Sequence, residues 1–318
     1  MRKLLLASVV ALLPAAAFGA EGIMDWAYPM PPAGLPPVDN VVKKQATGTK
    51  TGLMLTQAEI NNAFGPPDWF PDEHAAMPEA VAHGKKPDQM ACMLCHLPNG
   101  GGHPESASVA GLSEKYIVEQ MQAFREGSRQ NVRSPVMQRI AKAISPQDEK
   151  DAAAYFAGIK GSSLKWYEAI ESKTAPKNQP GEGGIRFRDK NGGTVDIAPN
   201  MIYEMPKDEA GVVNRDQHAS FVAYVPMGSI KKGEALATTG AGGKTIQCAI
   251  CHGEGFKGLG DVPRIAGRSP YYIIRQLKDI QSGARKGSSV ALMQPVVKNL
   301  SEEDIINLAA YLVSRDPA

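Results

Sequence analysis

The sequence predicts a mainly α-helical protein: two tandem helical units, each of three to four short helices around one bound group, with a small β-containing insert between them. Three observations carry that expectation. The stretch Cys92-Met93-Leu94-Cys95-His96 returns as Cys248-Ala249-Ile250-Cys251-His252, 156 positions later. The residues downstream of it repeat at the same shift without a gap: Gly111 falls on Gly267, Tyr116 on Tyr272, Gln120 on Gln276, Gly127 on Gly283, Arg129 on Arg285, Met137 on Met293, Ser145 on Ser301, Asp148 on Asp304 and Tyr155 on Tyr311. A repeat of this kind means one structural unit used twice. Within each repeat apolar residues recur at helical spacing, and between the repeats the pattern changes to strand-like alternation.

The repeated stretch has the spacing for covalent haem attachment. In C-x-x-C-H two thiols add across the vinyl groups of a porphyrin while the adjoining imidazole takes one axial position on the iron. All four cysteines of the chain are used in this way. A single copy would leave room for a redox-active or zinc-binding pair followed by a chance histidine; two copies in register leave that reading very little. Met137 and Met293 each lie 41 residues after their motif histidine. That register separates them from the rest of the 13 methionines, which read as core filler. They are the expected opposite axial ligands, a thioether position that raises the reduction potential. The expected sites are therefore two covalent c-type haems. Cys92 and Cys95 with His96 and Met137 hold one, and Cys248 and Cys251 with His252 and Met293 hold the other.

Along the chain, Met1-Arg2-Lys3, the apolar run Leu4 to Leu13 and the small residues up to Ala20 form the three parts of a secretory signal, residues 1–20, with cleavage expected after Gly19 or Ala20. The apolar run falls short of the roughly 20 residues a membrane span needs. A chain so exported reaches the periplasm. Without the leader's two cations, basic and acidic residues are equal in number. Haem propionates would tip the balance acidic, which argues against nucleic-acid or anionic-membrane partners.

Residues 21–70 are proline-rich and read as an extended arm; Trp26, Tyr28, Trp69 and Phe70 speak against a disordered linker. The first haem-binding unit spans 71–160. In it a short helix at Met77–Gly84 precedes the motif, a helix runs from Ser113 to about Glu126, a loop carries Met137, and a last helix opens at Ser145-Pro146. The second unit, 229–318, repeats the scheme with Ile230 to Gly240, Pro270 to Ser282, a loop carrying Met293, and a capping-box start at Ser301 to Asp304. The insert, 161–228, has no counterpart. Arg186–Asp189 and Thr194–Ile197 read as a β-hairpin about Asn191-Gly192, with Met201–Met205 and Phe221–Val225 as further strands.

Several lookalikes fall away. Gly253–Gly258 matches G-x-G-x-x-G, yet no strand leads into it. Gly242-Gly243-Lys244-Thr245 lacks the earlier glycine of a phosphate loop, and Asn299-Leu300-Ser301 is a helix start rather than a glycosylation site. His74, His83 and His218 have no partner at metal-ligand spacing, and His103 is a rival ligand only by its nearness to the first motif.

C-x-x-C-H, an Ala-Gly ahead of a tyrosine-containing helix, a ligand methionine and a last helix carrying Ala153-Ala154-Tyr155 or Ala309-Ala310-Tyr311 resemble the class I cytochrome c family. In tandem they are similar to the di-haem cytochromes of the cytochrome c-four type, which are periplasmic electron carriers. The resemblance covers both units but neither the arm nor the insert. It implies one-electron transfer at two closed His/Met haems, with redox proteins as partners: a periplasmic dehydrogenase or quinol-oxidising complex as donor and a terminal oxidase as acceptor. The alternatives are a dedicated cytochrome subunit of one dehydrogenase, and a di-haem enzyme of peroxidase or thiosulfate-oxidising type with one open haem.

Overall fold

The computed structural model describes residues 24–159 and 166–317, so the expected leader lies outside the described residues. The arm carries α1 (Gln57–Ile60). The first half has α2 (Glu79–Ala82), a small hairpin of β1 (Gly84–Lys85) and β2 (Gln89–Met90), then α3 (Met93–His96), α4 (Glu114–Arg125), α5 (Ser134–Ala143) and α6 (Pro146–Gly158). The insert contributes β3 (Tyr167–Glu171), β4 (Thr174–Pro176), β5 (Asn178–Pro180), β6 (Arg186–Arg188), β7 (Thr194–Asp196), β8 (Tyr203–Pro206), α7 (Glu209–Val213) and β9 (Phe221–Val225). The second half has α8 (Ser229–Thr239), α9 (Ala249–His252), α10 (Pro270–Gln281), α11 (Ser288–Ala291), α12 (Gln294–Val297) and α13 (Glu302–Val313). Among the described residues no helix is long and apolar enough to cross a membrane.

The repeat is kept at the level of single hydrogen bonds. Ser113 and Ser269 cap α4 and α10 by accepting from the backbone N–H of Tyr116 and Tyr272. Ser145 and Ser301 do the same for α6 and α13 through Asp148 and Asp304. Each such cap contributes about 1 kcal/mol. Gly111 N–H donates to Phe156 O and Gly267 N–H to Leu312 O, both at 2.9 Å. Both glycines sit at positive φ, 67° and 63°, where a side chain is disfavoured. This explains why the Ala-Gly pair recurs: it turns the chain against the last helix of its own half.

Two expectations are corrected. Met137 lies within helix α5, not in a loop, because Pro135 in the first turn starts a helix there; Met293 lies in the turn just before α12. The hairpin forms, but about a different turn. Strands β6 and β7 do not pair with each other. Both pair with the preceding stretch: Thr174 with Asp196 through Pro176 with Thr194, then Asn178 with Arg188 through Pro180 with Arg186. The reversal is at Gly181–Ile185, closed by Gly181 N–H to Ile185 O at 2.8 Å, with Gly183 and Gly184 at positive φ. The Asn191-Gly192 stretch bulges out of this ladder opposite Lys177, which bonds Gly193 O and Asp189 N–H on either side of it. Pairing with 174–180 makes a longer ladder than a tight hairpin would, and the extra pairs decide the register.

The expected strands at 201–205 and 221–225 are present as β8 and β9, the latter central between parallel β3 and antiparallel β8. The main apolar core joins this sheet to the second half, with Tyr167, Phe221, Ala223 and Val225 meeting Tyr271, Ile306 and Ala310. Trp26 packs edge-on against Tyr271 at 5.3 Å, and Tyr28 OH donates to Asp279 at 2.7 Å, which anchors the arm on α10. Farther along, Trp69 is buried with Ile60 and Phe70 and donates to Asn214 O at 2.7 Å.

The halves meet through the same residues on each side. Gln130 N–H donates to Ala284 O at 2.7 Å and Lys286 N–H to Ser128 O at 2.8 Å, a reciprocal pattern like that of a two-fold interface. Arg129 donates to Gln120 Oε1 at 3.1 Å and to Gln276 Oε1 at 2.9 Å; Arg285 donates to Gln276 Oε1 and Gln120 Oε1, each at 2.8 Å. Burial would raise the Tyr272 phenol, but Arg129, Arg285 and Arg268 outweigh it and bring it down to about 8.

Glu204, with no exposed surface, joins β8 to α10 by accepting from Ser269 Oγ at 2.8 Å and Tyr271 N–H at 3.2 Å. Burial pushes its carboxyl up to about 7 in spite of those bonds. Unfolded, it titrates near about 4.3. The folded state thus holds the extra proton between these values, and stability falls as pH rises from about 5 through 7. The expected loss is about 3 kcal/mol. Glu204→Gln is expected to flatten that slope in guanidinium melts between pH 5 and 8; an unchanged slope would assign it to another group.

Candidate haem sites

Each motif sits on a single helical turn, with Cys92 and Cys248 just ahead of α3 and α9. Positions i, i+3 and i+4 share a helix face, so both cysteines and the histidine of a motif can address one group. His96 Nδ1–H donates to Ala107 O and His252 Nδ1–H to Pro263 O, both at 2.7 Å and both across 11 residues. A carbonyl only accepts, so Nε2 keeps its lone pair for a metal. Burial lowers the pKa of both imidazoles and so favours the neutral, ligating form. Burial also pushes the Cys92 thiol up to about 12 and Cys248 up to about 11. Reactive C-x-x-C pairs show the opposite shift.

In the first half Cys92, Cys95, His96 and Met137 line one cavity of about 370 Å³. Close-packed interiors leave few voids larger than a water molecule, so a cavity of this size behind apolar walls is a site for a bound group. Leu112, Ile117, Phe124, Ile140 and Phe156 supply apolar lining, and Arg129, Arg133, Arg275 and Asn131 supply polar lining. Gln120 Nε2 and His103 Nε2, on residues of the same lining, are buried without a hydrogen-bond partner. A flat apolar ring that carries carboxylates fits this combination. In the second half Cys248 and Met293 pack against the main core, His252 is buried and Cys251 is exposed.

Sequence reasoning missed part of the first cavity. Asn61 of the arm and Glu182, Phe187, Val212 and Arg215 of the insert also line it, and nothing local in their sequence points there. Tyr116, Gln120 and Arg129 carried a signal, since buried polar residues that recur in a repeat mark shared contacts. His103 lies in this lining with Nδ1 3.3 Å from Glu105 Oε1.

A family model described as cytochrome c oxidase, cbb3-type, subunit III matches residues 235–312. Cytochrome c-554(548) of Halomonas halodenitrificans is 40% identical over 70 residues, which cover 22% of this chain and 84% of that protein. The chain belongs to the class I cytochromes c. Two longer relatives cover about three quarters of this cytochrome. The thiosulfate dehydrogenase electron acceptor of Thiomonas intermedia is 26% identical over 233 residues, 72% of this chain and 80% of that one. Cytochrome c4 of Pseudomonas aeruginosa is 24% identical over 247 residues, 75% of this chain and 89% of that one. This cytochrome accordingly carries two covalent c-type haems and transfers electrons.

Proposed function

We propose that this cytochrome works in the periplasm as the one-electron acceptor of a dehydrogenase and passes electrons on to a terminal acceptor. Cys92 and Cys95 with His96 and Met137, in residues 71–160, would hold one haem; Cys248 and Cys251 with His252 and Met293, in 229–318, would hold the other. The observation that carries the reading is that Cys92, Cys95, His96 and Met137, drawn from two separate stretches of chain, line one cavity. The relative described as an electron acceptor of thiosulfate dehydrogenase supports a dehydrogenase as donor.

Haem, when bound, supplies an iron that takes up and releases a single electron. The chain's residues keep that change small. His96 is held in orientation through Ala107 O, and Met137, which lines the same cavity, would occupy the position a small substrate would need. The apolar lining excludes water, which favours the reduced, less charged state. Arg129, Arg133 and Arg275 suit the two carboxylates.

A redox titration followed by visible absorption, with carbon monoxide added to the reduced protein, tests the reading. Two haems titrating at positive potential, both indifferent to carbon monoxide, are expected. A haem that binds carbon monoxide would instead point to an enzyme acting on a small substrate such as peroxide or thiosulfate.

A further inference from the structure

The repeat allows the two attachment motifs to be compared position by position, and they are not equally accessible. In the second, Ile250 is 64% exposed, Leu259 62% and Leu292 80%, and Cys251 is exposed as well. A shift of 156 places these on Leu94, His103, Val136 and Cys95. Leu94 is 8% exposed and His103 only 2%, whereas Val136 keeps 41% of its surface exposed and Cys95 is half-buried.

The insert makes the difference. Arg215 Nη1 donates to Leu94 O at 2.6 Å, while its Nε donates to Asn61 Oδ1 of the arm at 3.2 Å. Asn99 Nδ2 donates to Gln217 O at 2.7 Å. Phe221 packs edge-on against His103 at 6.3 Å. Trp166 lies so close over Gly101 that a Cβ there would come within 2.8 Å of the indole. All of these covering groups come from a segment with no counterpart in the second half.

We propose that the insert, tied down by the arm, covers the first attachment face around Leu94 and His103 against other proteins, and that the more open second face, marked by Ile250, Leu259 and Leu292, is where electrons are exchanged with a redox protein presenting an apolar, weakly charged cofactor edge. Large apolar side chains exposed together mark an interaction site. Charges of both signs lie near them in the chain: Lys244 pairs with Asp304 at 2.5 Å, Asp261 with Lys115 at 3.1 Å, and exposed Glu254 and Lys257 have opposite sign. Such a face offers apolar contact and little electrostatic steering. The inference rests on the proposed haem assignments.

The test is stopped-flow electron transfer from the fully reduced holoprotein to oxidised azurin, a small blue-copper protein, as probe. Haem content and spectra are checked first; fewer than two haems in the unmodified protein would defeat the assignments themselves and not this inference. Ile250→Glu with Leu259→Glu is expected to lower the second-order rate constant about tenfold or more, with both haem spectra unchanged. Val132→Glu, on an exposed valine of the first half, is expected to change it by less than about twofold, and so is raising salt from about 50 to 500 mM. Should the double variant lose haem, Leu259→Glu alone gives the same comparison. An unchanged rate in the Ile250/Leu259 variant, or a comparable loss in the Val132 variant, would overturn the proposal.

Discussion

Replacing Met137 with alanine is expected to turn one of the two haems high-spin and open it to carbon monoxide, while the other keeps its spectrum. Met137 lies on α5 and lines the first cavity together with His96. Removing the thioether would leave the iron one ligand short if Met137 holds it as proposed, and alanine is too small to fill the space. The potential of that haem should drop by roughly 0.1–0.3 V, a part of the ~0.8 V range that axial ligands span. Oxidised spectra and a two-component redox titration would show it directly. A spectrum identical to the parent's would mean that another group, His103 being the nearest candidate, is the sixth ligand. The low-spin haem that remains serves as an internal control for folding.

Gly233→Ala is expected to destabilise the protein by at least about 2 kcal/mol, against what helix propensity alone predicts. Gly233 lies inside α8, where exchanging glycine for alanine would ordinarily gain about 1 kcal/mol. Here a Cβ would stand 1.9 Å from Asn307 O and 2.7 Å from Tyr311 Cβ, both on α13. The obstacle is backbone, not a flexible side-chain end. Helices α8 and α13 would have to separate, and overpacking of this kind costs about 1–3 kcal/mol, occasionally more. Guanidinium unfolding at pH 6 would measure the change. A neutral or stabilising result would show that the two helices part easily, so that their close approach contributes little.

Gly233 also marks a limit of what the chain alone reveals. Position for position its counterpart is Met77, so the repeat gives no sign that this glycine matters; the reason is a carbonyl 74 residues away. The four serine caps are legible for the opposite reason, because a capping side chain and the N–H it accepts from are three residues apart. The turn at Asn191-Gly192 misleads because a strong local turn signal competes with a partner strand that lies earlier in the chain. Met137 reads as a loop residue because the helix around it starts at Arg133 without a capping side chain, so no capping signal announces its start.

By itself the sequence determined the number of haems, the residues most suited to hold them, the starts of the serine-capped helices and the two-fold use of one unit. All of these depend on covalent spacing or on contacts within a few residues, which survive in any register of the larger fold. The tertiary structure decided the rest: which strands pair, how Arg129 and Arg285 share Gln120 and Gln276 between the halves, and which motif the insert covers. Those outcomes rest on residues such as Arg215 and Leu94, which are 121 positions apart and meet only because the intervening chain has packed.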